Sequence, residues 1–103
     1  MLTDKLIAAL EARGFKRWTK GTMDRLYINA RELGLKLLYY NTGNVKDATF
    51  RGEQLSNSQG RRYKAAKTYI DVVTGEIVGE YDDLIEAARE LYDQAVAEAE
   101  REE

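Results

Sequence analysis

The sequence predicts an α+β fold: one small domain in which an antiparallel sheet built from hairpins carries helices packed on one face. Three observations lead there. Short runs of alternating apolar and polar residues are broken by Gly-containing turns at three places. Helical periodicity is confined to the beginning, the middle and the end of the chain. No strand–helix–strand alternation of the kind that builds a parallel sheet occurs between them. The expected order is α-ββ-ββ-α-ββ-α, and the 103 residues form a single domain spanning 1–103.

Each element has a local cause. From Thr3 to Arg13, Leu6, Ile7 and Leu10 recur at helical spacing, and Gly14 is a natural stop. FKRWTKGTMDRLYIN, from Phe15 to Asn29, reads as a hairpin turning at Lys20-Gly21, with Leu26 and Ile28 alternating with Arg25 and Tyr27. Asn29 can cap one helical turn, ARELG, closed by Gly34. Leu35 to Tyr40 is a strongly apolar strand, and after the turn TGN a second strand around Ala48 to Arg51 can pair back. Ser56, with Gln59 three residues on, starts a helix through a capping box. Thr68 to Val78 is another hairpin, turning at Thr74-Gly75. Asp83 and Glu86 fit a second capping box. Leu84, Ala88, Leu91, Ala95 and Ala99 then make one apolar stripe along the last helix, and residues 98–103 form a frayed acidic tail.

Composition narrows the chemistry. With neither cysteine nor histidine, the chain has no thiolate nucleophile, no disulfide, and neither of the usual ligands of a transition metal. No phosphate-binding glycine loop is present. Asp71, Glu76, Asp82 and Asp83 are close in sequence, but no acidic-x-Lys triplet of the nuclease type follows them. The expectation is a non-enzymatic protein with no cofactor and no metal. No apolar run approaches the ~20 residues of a membrane span, and the charged N-terminus, MLTDKLIAALEARGF, lacks the pattern of a signal peptide.

The net charge of −2 conceals an asymmetry. Residues 1–67 carry a balance of +8 and residues 68–103 a balance of −10. The basic part holds two candidate sites. In SNSQGRRYKAAK, Arg61, Lys64 and Lys67 fall on one side of the expected helix at about 100° per residue, with Tyr63 beside Lys67 and Arg62 on the other flank. In FKRWTKG, Lys16, Arg17 and Lys20 surround Trp18, the only tryptophan. Cations interleaved with aromatic rings suit phosphates and stacked bases, or an anchor in a protein interface. The alternative is a solvated helix whose cations meet the acidic last helix, and a Trp18 that belongs to the core. The acidic helix has its own reading, as a phosphate mimic seated in a basic groove.

The runs GFKRWTKGTMDRLYIN, YYNTGN, RGEQLSNSQGRRYKAAKTYID and TGEI resemble small proteins of phages and mobile elements of Gram-positive gut bacteria. That group includes anti-CRISPR inhibitors of type II RNA-guided nucleases. The resemblance implies a binding protein in a bacterial cytoplasm whose partner is a protein, in its most concrete form a CRISPR nuclease. It transfers no site residue. The alternative is a small nucleic-acid-binding accessory protein that uses the basic helix 57–67 and the hairpin 15–20. Neither the partner's identity nor the oligomeric state, a dimer included, follows from these residues.

Overall fold

The computed structural model describes residues 1–101. It is an α+β structure of four helices and seven strands, all strand pairs antiparallel. The first helix, α1 (Asp4–Glu11), starts at Thr3, whose Oγ1 accepts from the Leu6 amide at 3.2 Å. It buries Leu6, Ile7, Ala9 and Leu10. Strands β1 (Lys16–Lys20) and β2 (Met23–Asn29) form the expected hairpin, with the turn one residue later than expected, at Gly21-Thr22. A single turn, α2 (Ala30–Leu33), follows Asn29, whose side chain makes no cap bond, and ends at Gly34.

The chain then leaves the first sheet. Strand β3 (Leu35–Tyr39) pairs with β4 (Val45–Phe50), which pairs with β5 (Glu53–Leu55). β5 has no counterpart among the expected strands: GEQL is short and polar. Its turn, Arg51-Gly52, has positive φ at both residues, 51° and 86°, the pattern that matches the twist of a tight hairpin. An arginine in that position hid the turn signal. Helix α3 (Asn57–Ala65) carries the expected capping box, with the Gln59 amide 3.1 Å from Ser56 Oγ and the Ser56 amide 3.2 Å from Gln59 Oε1.

Strand β6 (Lys67–Asp71) returns to the first sheet beside β2, and β7 (Ile77–Val78) completes it. The strands thus form two sheets, ordered β1-β2-β6-β7 and β3-β4-β5. The β3-β4 hairpin, which lies between β2 and β6 in the chain, pairs only within itself and with β5.

Helix α4 (Asp82–Arg101) packs on α1 and across the buried side of the larger sheet. The apolar stripe forms as expected: Leu84, Ala88 and Ala95 are buried, with Leu91 and Ala99 packed against the same core. The Asp83–Glu86 capping box does not form. Asp83 lies inside the helix, where its carboxylate accepts from the Leu84 amide at 3.0 Å and from the Tyr63 hydroxyl. The helix continues through Arg101, and Glu98 pairs with Arg13 at 2.6 Å, so residues 98–101 of the expected tail are helical. Glu102 and Glu103 lie outside the described residues.

Leu10, Leu26, Ile28, Ile70, Val72 and Leu84 form the centre of the core, each contributing about 1.5–3 kcal/mol on burial. Among the described residues no helix is long and apolar enough to cross a membrane.

Candidate nucleic-acid interface

Register assigns every residue of the larger sheet to a face, because directly opposed residues point the same way. Leu26, Ile28, Thr68, Ile70 and Ile77 face the helices and are buried. On the opposite face stand Lys16, Trp18 and Lys20 of β1, Arg25 and Tyr27 of β2, and Lys67 and Tyr69 of β6. All of these are exposed or half-buried. One face is therefore core and the other is open, as antiparallel sheets allow.

The open face is basic and aromatic. Lys16, Lys20, Arg25 and Lys67 share this face with Asp71, the ladder partner of Arg25, and with the exposed Glu76, which opposes Asp71. The Asp71 carboxylate is already engaged by the amides of Val73 at 2.8 Å and Thr74 at 3.0 Å. Those amides, Thr74's first, hold the Asp71 carboxyl below the usual range. Tyr27 and Tyr69 are directly opposed, with ring centroids 6.5 Å apart. Lys67 Nζ lies 5.0 Å from the Tyr27 centroid, and the Arg25 guanidinium 5.4 Å from that of Tyr69. Trp18 opposes Arg25 and is diagonal to Tyr27. Three adjacent strands thus each present an aromatic ring.

Of the residues singled out in the sequence, Lys16, Trp18, Lys20 and Lys67 lie on this face. Trp18 is not core: it is 36% exposed. Arg17 points to the other side of β1, where Nε and Nη2 bond Asp24 Oδ1 and Oδ2 at 3.0 and 2.6 Å. That pairing raises the guanidinium pKa and lowers the Asp24 carboxyl, and it removes Arg17 from the basic surface. Lys67 is not on the helix either. Ala66 has extended backbone (φ −81°, ψ 144°), which ends α3 and places Lys67 on β6.

Arg61, Arg62 and Lys64 occupy the exposed side of α3. Tyr63 is the clear correction. It is 7% exposed, packs edge-on to Phe50, and donates its hydroxyl to both Asp83 oxygens at 2.8 Å. Burial and then Asp83 push its phenol up to about 12. Gly60 and Tyr63, three apart, form the buried side of α3, so Tyr63 must point away from the cations.

Arg25, Tyr27 and Tyr69 belong to the face but were not among the residues singled out. Their alternation with Leu26, Ile28 and Ile70 marked them as wet strand positions; only the β2–β6 pairing shows that they share one surface. The acidic helix does not neutralise this surface. Its ion pairs among the described residues go to Arg13 and Arg51.

The concavities lie elsewhere. A groove of about 330 Å³ runs between α1 and α4, lined by Leu6, Val96 and Ala99. Another, of about 370 Å³, lies beside Phe50, Arg51 and Asp83. Among the described residues no cluster of three carboxylates is placed to hold a metal ion. No protein-family model, curated protein or solved structure matches the chain.

Proposed function

We propose that this protein binds nucleic acid on the open face of the β1-β2-β6-β7 sheet. The observation that carries the reading is the joining of Lys16, Lys20, Arg25 and Lys67 with Trp18, Tyr27 and Tyr69 on one uncovered surface. The cations can displace counterions from phosphates, and the rings supply apolar contact area that tolerates any base. Titration of a labelled oligonucleotide tests it. Binding is expected at micromolar protein in about 50 mM salt, weakening steeply as salt rises. The triple variant Lys16→Gln, Lys20→Gln, Lys67→Gln should flatten the log–log salt slope by about 2 to 3. A wild-type protein that leaves the oligonucleotide free at low salt sinks the proposal.

A second reading rests on α4. Asp82, Glu86, Asp93 and Glu100 are exposed at spacings of four and seven, in one row that also contains Arg89. Such a row can occupy a basic groove of a protein partner, as the inhibitor of a type II RNA-guided nuclease would. This reading expects retention on the guide-loaded nuclease and loss of DNA cleavage at excess protein; retention and inhibition both absent would end it.

A further inference from the structure

We infer that the ligand of the open sheet is single-stranded, and that its backbone leaves the sheet through a phosphate clamp made by Arg31, Tyr39 and Lys64. The inference rests on the nucleic-acid reading and deepens it.

The strand state follows from the rings. In a duplex the faces of the bases are covered by their neighbours, so an aromatic platform finds nothing to stack on. A single strand exposes those faces. A major groove admits an α-helix or a two-stranded ribbon, whereas Trp18, Tyr27 and Tyr69 are spread over three adjacent strands of a four-stranded sheet. The cations over the two tyrosines, Lys67 and Arg25, sit on flexible side chains. They can swing to the adjoining phosphates as bases take their places on the rings.

The clamp is a separate observation. Tyr39, near the end of β3, has Lys64 Nζ 5.4 Å from its ring centroid, and Arg31 Nη2 donates to its hydroxyl at 3.4 Å. Among the described residues no carboxylate pairs with Arg31 or Lys64. Glu32, next to Arg31, lies instead against Gly14, where an added Cβ would meet its Oε2 at 2.9 Å. Two like charges converging on one phenol repel each other, and an oxyanion between them would reverse that energy. Arg31 and Lys64 also hold the phenol pKa down, Lys64 more strongly. The clamp is tied to the sheet by the chain itself: Lys64 is three residues before Lys67, and Arg31 is two residues after Asn29, the ladder partner of Lys67. The proposed path runs over the rings of β1, β2 and β6 and past Lys67 toward this cluster.

The test compares labelled oligothymidylates of about twelve and about four nucleotides with a duplex of the longer length. Wild type should bind the longer single strand at least about tenfold tighter than the duplex. Trp18→Ala with Tyr27→Ala should cost single-strand affinity at least about thirtyfold, whereas Tyr27→Phe, which keeps the ring, should bind as wild type. Arg31→Gln with Lys64→Gln should weaken the longer strand about tenfold and lower its salt slope by about 1.4, leaving the four-nucleotide strand unaffected. Thermal melting of each variant checks that these exposed substitutions leave the fold intact. Equal or tighter duplex binding, or an unchanged slope in the clamp variant, overturns this inference while the nucleic-acid reading stands. Binding to neither form overturns both.

Discussion

At the scale of single residues, Tyr63 shows how a side chain among cations can serve the interior. Its hydroxyl donates to a carboxylate, a bond worth about 1.5–3 kcal/mol, and it joins α3 to α4. Tyr63→Phe is expected to lower stability at neutral pH by about 2 kcal/mol, measured by urea unfolding, with nucleic-acid binding unchanged. The pH dependence has a definite sign. The folded phenol is raised from 10.0 to about 12, so the folded state holds this proton more tightly than the unfolded state. Its contribution is fully present below pH 10 and is lost as pH rises through about 12. In Tyr63→Phe the stability loss across that window should be smaller; an identical alkaline slope would show that folding does not raise the phenol pKa.

At the scale of elements, the contact between α3 and the smaller sheet depends on the absence of a side chain. A Cβ on Gly60 would lie 2.5 Å from Ala48 Cβ and 3.0 Å from Leu37 Cδ2. Alanine favours a helix over glycine by about 1 kcal/mol, but here it forces apart two packed elements. The clash should win, with Gly60→Ala destabilising by about 1–3 kcal/mol and lowering the melting temperature. A melting point at or above wild type would mean that α3 can ride up on β4 without cost. The same sheet explains why the apolar run LKLLYY is only partly core. β3 is an edge strand and α3 covers one of its faces, so Leu35 and Leu37 pack inward while Leu38 is 59% exposed.

At the scale of the whole molecule, Lys16, Lys20, Arg25 and Lys67 of the basic half gather on the open face of the larger sheet, while Arg13 and Arg51 of the same half pair with Glu98 and Glu90 of the acidic helix. The basic strand residues lie on the open face and α4 lies beyond the buried one. Helix and sheet layers are about 10 Å apart, comparable to the screening length at 0.1 M salt. Neutralising Asp82, Glu86 and Asp93 to Asn, Gln and Asn should therefore tighten nucleic-acid binding only a few-fold at about 10 mM salt, and not measurably at about 150 mM. A large gain at the higher salt would place α4 in direct contact with the ligand.

What the sequence determined by itself was local: the capped start of α3, two of the hairpin turns, the apolar stripe of α4 and the α+β class. Caps, turns and periodicities are set by residues a few positions apart, so they can be read along the chain. Its account of the candidate surface was partial. Lys16, Trp18, Lys20 and Lys67 stood out by composition, but Arg17 and Tyr63 stood out equally and face elsewhere, toward Asp24 and Asp83. Only the tertiary structure decided that β6 returns to β2 across an intervening sheet and helix. That long-range pairing opposes Tyr69 to Tyr27 and Lys67 to Asn29, and so turns wet positions on separate hairpins into one surface. Strand pairing is a contest among all exposed edges of the folded chain, and no local pattern encodes its outcome.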